Sequence, residues 1–457
     1  MKKVVVQGLG HVGIAMAAAV ASARDVNGSP MYSVVGLDLP NEAGRHKVDS
    51  VNVGECPVET NDDELKQALA AAHRTGNLAA SIDPDPIADA DIVVVDIPLD
   101  VDDIEHDASV PWDGFKAAIT TIGKYASAGT LVLVETTVPP GTCVKIVRPI
   151  LDAELQKRGL SGNTLLLAHS YERVMPGKDY FRSVTNFWRV FAGETPAAGD
   201  ACRDFLEKVI NTADFPLAEL SSTTASETAK VLENSFRAIN IALVKEFSDF
   251  AEQAGVDLFE VVDAIRVRPT HRNLMRPGFG VGGYCLTKDP MMTAVAAKEF
   301  FDLDLDFPFC RLAVRTNKAM PLHVTERLRD RFGSLSGKCI AIMGVTYRED
   351  VGDTRMSPSE DFLHSVEGEG ATTILVDPLV DHWADVDRAV TRDLPRNTEI
   401  DVYVFAVRHR EFANIDFSSD QLASNTLIVD ANGVLSDKQI SDIRNNPEFE
   451  LLRIGQG

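Results

Sequence analysis

Residues 2–13 read KKVVVQGLGHVG. Three consecutive valines form a short, uniformly apolar run of the kind found in a strand buried on both faces, and Gly8, Gly10 and Gly13 follow in GxGxxG spacing. IAMAAAVASA then continues as an alanine-rich helix, so a strand passes through a glycine turn into a helix, the opening of a parallel βαβ unit. The next apolar run, VVGLDLP at 34–40, carries Asp38 near its end. Its distance from Gly13 exceeds the usual ~20 residues, and the NGSP turn at 27–30 absorbs the excess. In that context the backbone N–H groups around His11, Val12 and Gly13 are expected to hold a pyrophosphate, with Asp38 on the adenosine ribose hydroxyls. A carboxylate there repels a 2′-phosphate, so NAD is expected rather than NADP. A glycine turn serving only strand-to-helix packing is the bland alternative, and Asp38 argues against it.

Two further strands are expected in DADIVVVDIP at 89–98 and GTLVLVETTVPPG at 129–141. From 216 the pattern changes. AELSSTTASETAKVLENSFRAINIALVKEFSDFAEQAGV has no proline and no glycine before Gly255, and Val231, Leu232, Ser235, Ile239, Ala242, Leu243 and Phe247 recur at three and four. This predicts one long amphipathic helix serving as a spine. SGKCIAIMGVTYRED from 336, ATTILVDP at 371–378, DVYVFAVRH at 401–409 and NTLIVDANG at 425–433 predict a second parallel sheet without a detectable sequence repeat of the first. The expected fold is α/β: two Rossmann-like doubly wound domains, at 1–215 and 326–457, joined through a helical region at 216–325.

Composition narrows the function. With 68 acidic against 45 basic residues the net charge is −23, which excludes a protein whose task is to neutralise nucleic-acid phosphates or anionic lipid. No apolar run approaches the roughly 18–20 residues of a membrane helix, and the N-terminus lacks the features of a signal peptide. Cys56, Cys143, Cys202, Cys285, Cys310 and Cys339 show neither CxxC nor CxxH spacing, so a zinc site or disulfide framework is not indicated and a reduced, cytoplasmic setting is expected.

Chemistry concentrates in two places. Lys230 and Asn234 lie one helical turn apart, a pair able to hold a substrate hydroxyl and stabilise an alkoxide; the bland reading is a snorkelling lysine beside an exposed amide. Residues 278–289, GFGVGGYCLTKD, pack four glycines ahead of Cys285, with Lys288 and Asp289 behind it. Glycine is used where backbone adopts positive φ or is closely approached, so this is read as a binding loop presenting a thiol of lowered pKa as a nucleophile. Asp289 could orient water or take a proton, while Lys288 has an ordinary surface charge as its alternative.

Taken in order, GLGHVG, ETTVPPGT (135–142), ERVMPG (172–177), KVLEN, GFGVGGYCLTKDP and YREDVGDTRMSP (347–358) resemble the UDP-glucose/GDP-mannose dehydrogenase family over the whole chain. The resemblance implies an N-terminal NAD domain, a central helical dimerisation region and a C-terminal nucleotide-binding domain. It also implies four-electron oxidation of a sugar-nucleotide C6 alcohol to a carboxylate with two NAD⁺ and one water, in a homodimer or higher homo-oligomer. By matching position, Cys285 is the implied nucleophile, Lys230 and Asn234 stabilise oxyanions, Asp289 and Thr137 position the water, and Glu172 assists thioester hydrolysis. Thr137, Pro98 and Arg355 are implied on the NAD side. Arg173, Phe279, Gly280, Gly282 and Gly283 are implied against the sugar, Arg348 against the diphosphate, and Arg272 or Arg276 as the residue crossing to the neighbouring subunit.

Glu135 and the ERVxPG form favour the branch acting on UDP-N-acetylhexosamines, whereas GGYCLTKD is closer to the UDP-glucose branch; the balance favours the hexosamine, with UDP-glucose or GDP-mannose as alternatives. A two-electron β-hydroxyacid dehydrogenase also uses Lys and Asn one turn apart but needs neither the Cys285 loop nor the second α/β domain. A catalytically silent NAD- or sugar-nucleotide-binding protein is the rival of another class.

Overall fold

The computed structural model describes residues 1–457 except 163, 176, 178, 395–398 and 418–425. Pro176 of the ERVMPG motif and Asn425 at the head of the last predicted strand therefore lie outside the described residues. The chain divides into two compact units, 1–233 with 291–307 and 234–290 with 308–457.

The first unit holds an eight-stranded sheet of β1 (Lys2–Gln7), β2 (Tyr32–Leu37), β3 (Leu78–Ser81), β4 (Ile92–Val95), β5 (Leu131–Val134), β6 (Leu166–Tyr171), β7 (Val190–Gly193) and β8 (Ala218–Glu219), in the order 3-2-1-4-5-6-7-8. Strand pairs from β3 to β6 are parallel, and β7 runs antiparallel to β6. IVVV and LVLV in β4 and β5 are buried at every position, as strands covered on both faces must be. The helix His11–Ser22 is buried on nearly all sides, and its alanines let it lie close against the sheet. Strand order reverses between β1 and β4, so the carboxyl ends of those two strands open the crevice where an α/β sheet binds ligands.

The second unit holds a five-stranded, all-parallel sheet of β9 (Cys339–Met343), β10 (Thr372–Val376), β13 (Val402–Phe405), β14 (Thr426–Asp430) and β15 (Phe449–Arg453), in the order 10-9-13-14-15. A short antiparallel ribbon of β11 (His382–Trp383) and β12 (Arg388–Ala389) accompanies it. The repeat that is invisible in sequence is present in geometry. Gly344 follows β9 at φ 104° as Gly8 follows β1 at φ 101°. Asp377, after β10, accepts the Val345 N–H at 2.9 Å, as Asp38, after β2, accepts the Leu9 N–H at 2.9 Å. Around Asp377 the resemblance ends, because the buried His409 Nε2 sits 3.1 Å from its carboxylate.

The long helix spans Thr223–Ala254, later than expected, because Ala218–Glu219 are drawn into the sheet edge as β8. The boundary between the two units falls inside it. Its apolar residues are also not a single stripe. Val231, Ala238, Ile241, Ala242 and Val244 are buried, whereas Leu232, Phe236, Leu243, Phe247 and Phe250 are exposed, so the helix carries a second apolar face open to solvent. Among the described residues no helix is long and apolar enough to cross a membrane.

Candidate active site

In the first unit the glycine turn is shaped by contact. A Cβ on Gly13 would stand 1.8 Å from the Gly8 carbonyl oxygen, and one on Gly8 2.3 Å from the Asp96 carbonyl oxygen, whereas one on Gly10 would meet nothing within 4 Å. Gly8 and Gly13 thus close the turn, and Gly10 keeps the space above it clear. The helix behind it starts with no side-chain cap at Gly10 and no acid in its first turn, leaving the positive end of its dipole for an anion. Asp38 accepts the Leu9 and Leu39 N–H groups at 2.9 and 2.8 Å and the Lys47 ammonium at 3.0 Å. A clear approach over Gly10, an uncapped helix start and a carboxylate fixed after β2 fit a dinucleotide. Pro98, exposed after β4, and Thr137, half-buried after β5, stand at the carboxyl ends of the same sheet.

Lys230 is no snorkelling lysine. It is buried, donating to the Glu172 carbonyl oxygen at 2.9 Å with the Glu172 carboxylate at 3.3 Å, and it lies 5.4 Å from the centre of the Tyr171 ring. Glu172, which follows directly from β6, also accepts the Val174 N–H. Arg173 pairs with Glu233 at 2.8 Å and donates to the Trp188 carbonyl at 2.7 Å.

Sequence reasoning missed most of the residues beneath this layer and read Glu135 only as a mark of the substrate branch. Glu227, one turn before Lys230 and fully buried, accepts the Gly141 and Cys143 N–H groups at 2.5 and 2.8 Å and so ties the TTVPPG turn to the long helix. Glu135 pairs with Arg189 at 3.0 Å, both side chains essentially without solvent contact. Removing one partner of such a pair leaves a buried charge, a loss of about 3–5 kcal/mol. Asp96, just past β4, is buried with neither carboxylate oxygen hydrogen-bonded among the described residues; burial, then the nearby Glu135, push its pKa well above the usual carboxylate range. His169, within β6, is held neutral by burial, its pKa lowered to about 3, with Nδ1 2.8 Å from the Ser226 hydroxyl. Asp96 and Glu135 each stand directly after an apolar run, but strand-end position alone does not say which will be buried, and Glu227, inside the long helix, carries no such mark.

In the second unit the glycine loop lies on the segment 347–358. A Cβ on Gly282 would meet the Met356 carbonyl oxygen at 2.3 Å, and one on Gly283 the Tyr347 ring at 2.8 Å. Gly280 and Gly283 both have positive φ, 98° and 78°, so this loop needs glycine for backbone shape as well as for space. Val281 is clamped by Asn317, whose side chain accepts its N–H at 2.8 Å and donates to its carbonyl at 2.7 Å. The Phe279 ring is turned into the core, edge-on to Phe362, and its N–H goes to the Asn432 side chain at 3.4 Å, so this residue is buried.

The loop delivers Cys285 exposed. Behind it Asp289 is buried, donating its N–H to the Cys285 carbonyl at 3.0 Å and receiving the Asn234 amide at 2.7 Å and the Lys288 ammonium at 3.0 Å. Lys288 is thus not a surface charge: it is buried, and it lies 5.1 Å from the centre of the Tyr284 ring. Arg348 follows β9 at this sheet's own reversal point, between β9 and β13. Arg355 is exposed and paired with Asp353 at 2.6 Å, Arg276 with Asp263 at 2.6 Å, and Arg272 is exposed. Each unit therefore gathers its own set: Glu172 with Lys230 in the first, and Asn234, Lys288 and Asp289 behind Cys285 in the second.

Three domains of the UDP-glucose/GDP-mannose dehydrogenase family match the chain in order: the NAD binding domain over residues 2–210, the central domain over 224–319 and the UDP binding domain over 341–437. Among curated proteins, the chain is 27% identical to UDP-N-acetyl-D-mannosamine dehydrogenase of Pyrococcus horikoshii, covering 96% of this chain and 98% of that one. It is 28% identical to NDP-N-acetyl-D-galactosaminuronic acid dehydrogenase of Ralstonia nicotianae, covering 95% and 97%. Among solved structures, the UDP-D-ManNAc dehydrogenase of P. horikoshii superposes with a TM-score of 0.84 at 25% identity, covering 100% of this chain and 99% of the other.

Proposed function

Because this chain belongs to the UDP-glucose/GDP-mannose dehydrogenase family, and is thereby an NAD-dependent nucleotide-sugar dehydrogenase, we propose that it oxidises the C6 hydroxymethyl of a UDP-N-acetylhexosamine to the uronic acid. The observation that carries the cysteine chemistry is an exposed thiol on a glycine-built loop, backed by a buried carboxylate that Asn234 and Lys288 hold in place. NAD, when bound, accepts a hydride in each of two oxidations. In the first, C6 loses hydride and its hydroxyl loses a proton, with Lys230 and Asn234 stabilising the developing oxyanion. The Cys285 thiolate then adds to the aldehyde carbon and forms a thiohemiacetal. Loss of the second hydride leaves a thioester, which water cleaves to the carboxylate and the free thiol. Asp289 and Thr137 position that water, and Glu172 takes its proton.

The hexosamine is supported by the names of the relatives, which act on N-acetylmannosamine and N-acetylgalactosamine derivatives. Glu135 supports it only indirectly, since its side chain is enclosed with Arg189 and is a scaffold feature rather than a sugar contact. The test is NADH released per molecule of limiting sugar nucleotide, across UDP-N-acetylmannosamine, UDP-N-acetylglucosamine, UDP-N-acetylgalactosamine, UDP-glucose and GDP-mannose. Two NADH are expected with one of the acetamido sugars. Two NADH with UDP-glucose alone would overturn the substrate, one NADH with every sugar would overturn the four-electron reaction, and none with any sugar would favour a binding protein.

A homodimer is part of the same proposal, supported by the exposed apolar face of Leu232, Phe236, Leu243, Phe247 and Phe250, since a patch of this kind marks an interaction surface. Light scattering should give twice the chain mass of 49.7 kDa, or a higher multiple, and Phe236→Glu with Phe247→Glu should give a monomer; a wild-type monomer at micromolar concentration would sink it.

A further inference from the structure

Asp377 and His409 form a buried pair that no step of the proposed reaction uses. His409 follows β13, Thr346 follows β9 and Asp377 follows β10, and all three are essentially without solvent contact. The Asp350 N–H donates to His409 Nδ1 at 3.1 Å, so that nitrogen carries a lone pair and the ring proton sits on Nε2. Nε2 lies 3.1 Å from an Asp377 carboxylate oxygen and 3.0 Å from the Thr346 hydroxyl, which itself donates to the Arg348 carbonyl at 3.1 Å. Asp377 is ready to accept: burial would raise its carboxyl, but His409 and the Leu379 and Val345 N–H groups hold it below its ordinary value. The Phe412 ring, edge-on with centres 5.6 Å apart, packs against the imidazole. A carboxylate, a histidine and a hydroxyl suggest a hydrolytic relay, but a relay sets the acid and the hydroxyl on opposite ring nitrogens, whereas here both face Nε2. Asp350 and Glu411 also approach the ring, yet the Asp350 N–H occupies the Nδ1 lone pair that a metal ion would need, and Arg410 lies 3.5 and 3.8 Å from their carboxylates.

What the ring does is grip both ends of one turn. Thr346 and Asp350 bracket Tyr347, Arg348 and Glu349, and Asp350 is left-handed at φ 56°, a conformation that costs a residue with a side chain and persists where neighbours hold it. Tyr347, inside the turn, is what the glycine loop rests on, since a Cβ on Gly283 would stand 2.8 Å from its ring. Cys285 comes two residues after Gly283. We propose that His409 is a positioning residue, which through its Nε2-protonated tautomer fixes the turn 346–350 and so the seat of the loop that presents Cys285. This rests on the function proposed above.

The test separates the two ring nitrogens. His409→Asn puts an amide oxygen where Nδ1 was, so it still accepts from Asp350 but gives Asp377 nothing. His409→Gln puts an amide N–H where Nε2 was, so it answers Asp377 but leaves the Asp350 N–H without its acceptor. For the full-length wild type and each variant the measurements are melting temperature, NAD affinity by calorimetry, and steady-state kinetics with the sugar nucleotide that the wild type oxidises. A hydrogen bond to an ionised carboxylate is the stronger of the two, so His409→Asn should melt lower than His409→Gln. Activity should run the other way: kcat is expected to fall about tenfold or more in His409→Gln and less in His409→Asn, with NAD affinity unchanged in both. Nitrogen-15 spectra of histidine-labelled wild type, with the His409 signals identified by their loss from the variants, should show Nε2 protonated and Nδ1 bare. The same order in kcat as in melting temperature overturns the proposal, because that is what a merely structural role gives. A ring protonated at Nδ1, or wild-type kcat in His409→Gln, overturns it too, and all three results leave the functional reading standing. Wild-type protein that oxidises no sugar nucleotide overturns the functional reading, and the positioning role with it.

Discussion

Cys285→Ala is expected to form no uronic acid while binding NAD as the wild type does. The thiol is exposed at the end of a loop whose shape is set by its glycines, by the Asn317 clamp and by the main-chain bond from Asp289, none of which uses the sulfur. Removing it opens no core cavity, so the melting temperature should hold to within the ~0.5 kcal/mol typical of surface substitutions. Chemistry should fare differently, because loss of a covalent nucleophile removes the route itself: a fall in acid formation on the order of 10⁴-fold or more is expected. NADH should then stop at one per sugar at most, which a stoichiometric assay with product analysis reads directly. Acid formation at a tenth of the wild-type rate would rule out the thioester route, and loss of NAD binding in the folded variant would count against the assignment of Cys285.

Gly13→Ala and Gly10→Ala, three residues apart in one turn, should fail in opposite ways. At Gly13 the new methyl would lie 1.8 Å from the Gly8 carbonyl oxygen and 3.2 Å from the Asp96 Cβ, so backbone must move. Overpacking costs about 1–3 kcal/mol when side chains can yield, and with backbone as the obstacle the top of that range or beyond is expected, visible as a lowered melting temperature and poor soluble yield. At Gly10 the methyl enters open space, and φ of −76° suits any residue, so the fold should be untouched. That open space is where the pyrophosphate is expected to approach the backbone, so NAD affinity should drop at least tenfold, about 1.4 kcal/mol. Thermal melts with NAD titration separate the two. Wild-type NAD affinity in Gly10→Ala would mean that the pyrophosphate lies elsewhere.

Much of this protein was open to reading from the chain alone, and the reason is that the deciding signals are local. Runs such as VVV, IVVV and LVLV announce buried strands, a glycine turn between a strand and a helix announces the first crossover, and Asp38 after the second run is the residue expected to favour NAD. The six ordered motifs pointed to the family on the same basis, because each is a short stretch whose residue types are dictated by its own turn or loop. What the tertiary structure decided is which side chains lose water and with whom, and those pairings cross long sequence separations. Glu135 meets Arg189 across 54 residues, Lys230 meets Glu172 across 58, and Asn234 meets Asp289 across 55. A pattern of apolar spacing records that a helix has an apolar side, yet it cannot tell the buried Val231 and Ile241 from the exposed Phe236 and Phe247, since that depends on which neighbours arrive. It likewise cannot tell a surface lysine from Lys288, buried on Asp289. Charge compensation is a property of three-dimensional neighbourhoods, and only the folded chain defines them.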